Sequence, residues 1–250
     1  MNSKYQHNYS TKQMSMYEEN IRINKANKTI AVLKDYLEDI ENLDLLDIGS
    51  STGFMTNEYA KHFNKVTGID LDSSAVEYAK NNFKKDNLQF LDTPIEESSF
   101  NENSFDIITC SHIYEHVPSD RALMDNIYKL LKPGGICYFA AVNRFQIIEP
   151  HYELPFLSYF PKKIANKYIR LFRNEEEYYE NLKSHRNLRK LVSRFDIIDY
   201  TLKILKEPSK FCANELLKKN TFKYYIINLL SKIFYFIIPT YIWLLIKPDK

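Results

Sequence analysis

Two hydrophobic rhythms alternate along the first 145 residues. Ile21, Ala26, Ile30, Leu33, Leu37 and Ile40 recur at helical spacing and predict an amphipathic helix over 16–40. LDLLDIGSSTGF (43–54) is an apolar run that breaks into small residues, a strand and then a tight turn. GFMTNEYAKHF (53–63) predicts a helix, KVTGID (65–70) a strand, and SSAVEYAKNNF (73–83) a helix with Ser73 at its N-cap. NLQFLD (87–92) and SFDIITC (104–110) read as strands three and four. SDRALMDNIYKLLKPGG predicts a helix stopped by Pro133-Gly134-Gly135, and ICYFAAVN (136–143) a fifth strand. Short apolar strands alternating with helices specify an α/β fold whose parallel sheet is covered on both faces.

The rhythm breaks at Arg144. Residues 145–190 hold no strand run but many rings: Tyr152, Phe156, Tyr159, Phe160, Tyr168, Phe172, Tyr178 and Tyr179. FDIIDYTLKIL (195–205) returns to strand character, TFKYYIINLLSKIFYFIIP (221–239) predicts a helix stopped by Pro239, and TYIWLLIK (240–247) a terminal strand. The expected organisation is an N-terminal helical segment (1–42), an α/β core (43–144), an aromatic-rich helical cap inserted at 145–194, and closing strands and helix of the core over 195–250.

Composition narrows the class. The 250 residues are 44% hydrophobic, enough for one α/β domain with an insertion and too ordered for a disordered chain. Cys110, Cys137 and Cys212 lie far apart with no CxxC pair, which excludes a disulfide scaffold or four-cysteine zinc site and favours a reducing, cytoplasmic compartment. The first twenty residues are polar, unlike a cleaved signal peptide. Charge is split: 15 Lys and Arg against 22 Asp and Glu in 1–150, 19 against 10 in 151–250. The basic half is either a set of solvated helix faces or a surface for an anion, including the inner face of a membrane. Residues 222–246 are long enough to span a bilayer, but Asn228, Ser231, Lys232, Pro239 and Thr240 interrupt them. A helix followed by the final strand fits better, and lysines 218, 219, 223 and 232 leave open a peripheral interfacial helix.

The special residues fall where doubly wound sheets bind ligands, at the carboxyl ends of the strands. Asp47-Ile-Gly49-Ser-Ser51-Thr-Gly53 follows the first strand and opens a helix, so the backbone turns sharply and helix N–H groups face a ligand. Asp70 ends strand two, placed to accept ribose hydroxyls, and Asp92 ends strand three, placed to accept from an adenine amino group. Asp70 stands 21 residues past Gly49, so spacing alone also admits a nicotinamide dinucleotide, yet an Asp leading the loop repels a pyrophosphate and suits an ammonium.

LLDIGSSTGF, GIDLD, SFDIITCSHIYEHV and LLKPGGICYFAAVN together resemble the class I S-adenosylmethionine-dependent methyltransferases, in their small-molecule branch. The resemblance covers 40–145 well and 195–247 loosely. It implies a Rossmann-like seven-stranded sheet with the last strand antiparallel and S-adenosyl-L-methionine as cofactor. Gly49, Ser51 and Gly53 would line the methionine moiety, Asp47 the loop and ammonium, Asp70 the ribose, and Asp92 with Thr93 the adenine, with Leu71 on its face. Ser111 would face the methionine carboxylate or the acceptor. Ser51 stands where the family's second glycine usually is, and the resemblance does not account for the aromatic insertion.

Methyl transfer is an in-line displacement that mainly needs positioning, worth roughly 7–11 kcal/mol, and no metal. A hydroxyl acceptor adds the need for a base, and His112, His116 and His151 are the candidates near the predicted mouth. His112 and His116 are four apart and share a helix face, but no third metal ligand is apparent. Glu115-His116-Val117 also recurs in the family as a loop support, so His116 reads equally as structural, and His112 is the preferred base. His7, His62 and His185 read as surface residues. The cap's rings need apolar faces to pack; any that line the pocket imply an aromatic or lipid-like acceptor. The expected activity is methyl transfer to such a small molecule, at oxygen. A non-catalytic interaction module of the same fold is the alternative. A nucleic-acid methyltransferase is weaker, because the Asn/Asp-Pro-Pro-aromatic motif is absent.

Overall fold

A computed structural model of the chain describes residues 14–173 and 177–249. α1 (Glu19–Tyr36) precedes an alternation of β1 (Asp44–Ile48), α2 (Phe54–Tyr59), β2 (Lys65–Asp70), α3 (Ser73–Asn82), β3 (Leu88–Asp92), β4 (Phe105–Ser111), α4 (Asp120–Leu130) and β5 (Leu131–Val142). The inserted segment holds a hairpin of β6 (Ile148–Glu149) and β7 (Leu154–Pro155), then α5 (Lys162–Phe172). α6 (His185–Leu191), β8 (Asp196–Asp199), α7 (Thr201–Lys206), α8 (Phe222–Ile233) and β9 (Thr240–Ile246) close the chain.

Seven strands form one sheet in the order β3-β2-β1-β4-β5-β9-β8, and β9 alone runs against its neighbours. This is the seven-stranded, doubly wound arrangement expected. The sheet is buried on both faces because successive side chains point to opposite sides. Leu46, Ile108, Phe139 and Trp243 pack on one face with Leu123 and Ile127 of α4 and Leu188 of α6. Leu45, Ile107, Tyr138 and Leu244 pack on the other with Ile30 and Leu33 of α1. That alternation turns Asp47, two residues after Leu45, toward the α1 side.

Several local expectations shift. Asp72 caps α3 in place of Ser73, its carboxylate accepting from the Ala75 N–H at 3.2 Å. α4 ends at Leu130, before the Pro-Gly-Gly turn, and the chain goes straight into β5, where Gly134 N–H donates to the Lys247 carbonyl at the end of β9. Residues 195–205 are a four-residue strand followed by α7, rather than one strand. The Asp199 carboxylate accepts from the Thr201 N–H at 2.8 Å and turns the chain into the helix. The inserted segment is not wholly helical, since the β6–β7 hairpin leads it.

Candidate active site

The strand order reverses between β1 and β4, and the cleft opens there. It measures about 550 Å³ and takes its walls from the ends of β1, β2 and β4, from α1, and from the start of the inserted segment. The loop after β1 forms its floor. Gly49 holds φ +74°, a left-handed backbone that favours glycine, and a Cβ there would have to displace the tip of Ile113, whose Cδ1 would lie 2.1 Å away. Ser51 also sits in the left-handed region, at φ 47°, and its N–H donates to Asp70 Oδ2 at 2.7 Å.

Asp47, buried, and Asp70, half-buried, face this floor. Asp47 accepts hydroxyl hydrogen bonds from Thr109 (2.5 Å) and Thr56 (2.6 Å). Asp70 accepts the N–H groups of Ser51 and Asp72. Burial pushes both carboxyls up, more than these donors pull them down, with the Asp70 charge adding to the rise at Asp47 and the Asp72 charge to that at Asp70. Across the opening, Arg22 and Lys25 line the cleft from one face of α1. Burial, with the Arg22 and Lys28 charges, draws Lys25 down to about 8.

At the other end, His112, His116 and His151 all line the cleft. Three buried carboxylates stand behind them: Glu115, Glu149 and Glu180. His112 follows β4 at φ 58°, its N–H donating to the Ala140 carbonyl, with Nδ1 3.7 Å from Glu115 Oε1. His116 and His151 meet edge-to-face, ring centres 4.9 Å apart. His151 Nδ1 bonds Glu149 Oε1 at 2.7 Å, and the N–H groups of His151 and Tyr152 both donate to Glu149 Oε2. Burial pulls His116 down to about 4. It pulls on His151 too, but the Glu149 bond and the Glu180 charge outweigh it and raise His151 to about 9. Burial alone would push Glu115 up, yet the facing imidazoles of His112, His116 and His151 hold it below its usual range. Burial raises Glu180.

Of the residues expected at the cofactor, Asp47, Gly49, Ser51, Asp70, Leu71, Thr93 and Ser111 line the cleft. Gly53 and Asp92 do not. Gly53 starts α2 at φ +81°, and a Cβ there would collide with Ala79 and the Phe90 ring at 2.7 and 2.8 Å, so its work is packing α2 onto α3 and β3. Asp92 is exposed: it follows Leu91, which packs into the core on the other face of β3, and the pleat turns it outward. Thr93 and Glu96 line the cleft beyond it.

The eight rings of the inserted segment are absent from the cleft wall among the described residues. They pack on one another, Tyr152 on Tyr178 and Tyr168 on Phe160 and Phe172, and the segment gives the cleft Gln146, Ile148, Pro150 and His151 instead. Of the histidines read as surface residues, His62 is half-buried beside Lys34. His185 packs against Tyr235, Tyr241 and Trp243, and His7 lies outside the described residues. The sequence reading missed Arg22, Lys25, Glu149 and Glu180. The i, i+3 spacing of Arg22 and Lys25 puts them on one helix face, but nothing local says that this face crosses the mouth.

Residues 46–139 match the family model of a methyltransferase domain. A ubiquinone biosynthesis O-methyltransferase of Coxiella burnetii (strain Dugway 5J108-111) is 36% identical over 102 residues, 40% of this chain and 44% of the relative. A protein of the same name from Psychrobacter cryohalolentis is 33% identical over 124 residues, 45% of this chain and 48% of the relative. The chain thus spans about half the length of these curated relatives. Among solved structures, an S-adenosylmethionine-dependent methyltransferase of Mesorhizobium loti is similar with TM-score 0.57 at 14% identity, over 86% of this chain and 95% of that one. Haemonchus contortus phosphoethanolamine N-methyltransferase 2, solved with phosphomonomethylethanolamine and S-adenosylhomocysteine, is similar with TM-score 0.53 at 21% identity, over 89% and 53%.

Proposed function

Because the chain belongs, through residues 46–139, to the class I S-adenosylmethionine-dependent methyltransferases, we propose that it methylates an oxygen of a small-molecule acceptor. The observation that carries the reading is the anionic floor: two carboxylates, buried Asp47 and half-buried Asp70, at the strand ends beside a turn whose Gly49 holds a left-handed backbone. A cofactor with an ammonium, a sulfonium and a ribose suits that donor set, and a cleft of about 550 Å³ is of the size such ligands occupy. S-adenosylmethionine supplies an activated methyl group for in-line displacement.

The chain's own part is to bind and orient. Asp70 would accept the ribose hydroxyls, with its carboxylate fixed by the Ser51 and Asp72 N–H groups. Asp47 would face the ammonium, held by Thr56 and Thr109, and Leu71 and Thr93 would flank the adenine. Glu96, which lines the cleft where exposed Asp92 does not, would serve the adenine amino group. The acceptor would lie against Ile148, Pro150 and Val117, with its hydroxyl toward His112, the more accessible of the two histidines after β4, which would take the proton. The relatives' printed name supports oxygen as the acceptor atom, and the aliphatic wall supports an apolar or lipid-like body.

Among the described residues no helix is long and apolar enough to cross a membrane. Contact with an anionic lipid surface through α8 belongs to the same reading. The segment 145–194 acts as the cap on the acceptor side.

Calorimetric titration with S-adenosylhomocysteine tests the core of the proposal. Micromolar binding by the wild type and at least a roughly tenfold loss in Asp70→Ala are expected, since a charged hydrogen bond contributes about 1.5–3 kcal/mol. Equal binding by both proteins, or none by either, overturns it.

A further inference from the structure

We infer that the Gln146 amide sets acceptor specificity: it donates to an uncharged oxygen, of the carbonyl kind, that the acceptor carries besides the hydroxyl to be methylated. The inference deepens the methyl-transfer reading and rests on it. Gln146 follows β5 and lines the cleft among Val142, Ile148, Pro150, Pro239 and Thr240. It is 3% exposed, and its Nε2 is buried without a hydrogen-bond partner among the described residues. A buried N–H left unpaired costs stability, and for packing alone an apolar side chain of the same length would serve better. In a wall this apolar, the few polar groups are the ones that orient a ligand. The last torsion of a glutamine is broad, so a small turn brings the N–H to an oxygen in the cleft.

A second, independent observation is how firmly the backbone around Gln146 is held. On one side, the Phe145 N–H donates to Asn143 Oδ1 at 3.1 Å, and the Tyr159 hydroxyl donates to the Phe145 carbonyl at 2.7 Å. On the other, the Phe156 N–H donates to the Ile147 carbonyl at 2.7 Å. Arg144 Nε donates to the Ser158 carbonyl, and Ser158 Oγ returns a bond to the Arg144 carbonyl at 2.6 Å. Asn143, fully buried, anchors the turn on the Phe236 and Ile238 carbonyls. A side chain on so fixed a backbone is presented at one place before any ligand arrives, as recognition requires. The aromatic segment, which the family resemblance leaves without a role, thus supplies the clamps that hold Gln146.

Charge selects which oxygen is read. Glu115, Glu149 and Glu180 are buried at this end of the cleft, so an anionic substituent would meet carboxylates, whereas a neutral carbonyl needs only the N–H. His112 follows β4 and Gln146 follows β5, neighbours in the sheet, and both line the one cleft. A small acceptor with its hydroxyl toward His112 and its carbonyl toward Gln146 is held at two points and aligned for in-line transfer.

The test uses the full chain saturated with S-adenosylhomocysteine and two probes that differ in the carbonyl alone, meta-hydroxyacetophenone and meta-ethylphenol. Calorimetry is expected to show the wild type binding the ketone about tenfold more tightly, the ratio that one hydrogen bond supplies. Gln146→Met, of similar length but without an amide, is expected to bind both probes alike. In a urea series without ligand, Gln146→Met should unfold at a higher midpoint than the wild type, because it removes an unpaired buried N–H. A side chain kept for the fold would give a lower one. Equal binding of the two probes by the wild type, binding of neither, a ketone preference that survives in Gln146→Met, or a lowered midpoint overturns the assignment. The S-adenosylhomocysteine titration that precedes the probes keeps the two readings apart. A wild type that does not bind the nucleoside sinks the methyl-transfer reading and this assignment with it; nucleoside binding without probe discrimination sinks the assignment alone.

Discussion

Asp47 and Asp70 owe their character to two opposed effects, and pH separates them. Burial raises both carboxyls, so they take up protons above the range where exposed carboxylates do. A cationic ligand needs them ionised. Affinity for S-adenosylmethionine is therefore expected to fall as the pH drops, starting above the range where exposed carboxylates protonate, and more steeply than that for S-adenosylhomocysteine, which lacks the sulfonium charge. Calorimetry of both ligands through that fall in pH checks it; parallel curves would remove the carboxylates from the sulfonium's surroundings. The ligand-free fold should respond in the opposite sense at these two groups, since a carboxyl raised in the folded state favours folding once protonated. Gly53 makes the complementary point about legibility. Its motif position was readable, but its work was not, because the Ala79 and Phe90 contacts come from distant elements. Gly53→Ala should destabilise by about 2–3 kcal/mol through overpacking and a left-handed φ, measurable as a lower urea midpoint.

Elements with long, regular patterns were legible, and those whose pattern changes within a few residues were not. β1 to β4 and α1 appear within a few residues of where the apolar rhythm predicted them. The run 195–205 was read as one strand because Ile197, Ile198, Leu202, Ile204 and Leu205 fit either period over so short a length. Only Tyr200 and Ile204, buried four apart against Phe211, reveal the helical register of α7. The same corner supplies a clasp. Asp35 of α1 accepts from the Tyr200 hydroxyl at 2.8 Å and pairs with Lys203 and Lys210, which hold its carboxyl well below the usual range against the pull of burial. A lowered carboxyl contributes stability above its unfolded value and loses it as pH falls into the acid range. Asp35→Asn is expected to lower stability by about 1 kcal/mol at neutral pH and by less under acid conditions, because the lysines are half-exposed and solvent weakens their pull. A urea series at two pH values decides it; an equal loss at both would make the clasp a packing contact.

At the scale of the whole molecule, charge and apolar surface coincide on the C-terminal third. α8 turns Tyr224 and Ser231 inward and leaves Phe222, Tyr225, Leu229 and Ile233 at 60% or more exposure, with Phe234 and Phe236 continuing the surface. Lys218, Lys219, Lys223 and Lys232 rim it, and residues 151–250 hold 19 basic against 10 acidic side chains. An apolar helical face rimmed by lysines is the composition that settles at an anionic lipid interface, each lysine near the surface contributing about 1 kcal/mol. This face also adjoins the cleft: Asn143 donates to the Phe236 and Ile238 carbonyls, and Pro239 and Thr240, the next residues, line the opening. A lipid-like acceptor could pass from bilayer to site over that short path, which gives the exposed apolar area a use that packing does not. The protein is therefore expected to sediment with phosphatidylglycerol vesicles and to stay in solution with phosphatidylcholine ones, with the bound fraction falling as salt rises. Leu229→Glu combined with Ile233→Glu should abolish sedimentation while S-adenosylhomocysteine affinity stays unchanged, since neither side chain lines the cleft. Binding to both vesicle types alike, or a double variant that still sediments, would refute the interfacial role. Concentration-dependent dimerisation abolished by the same double variant would assign the face to a second copy of the chain instead.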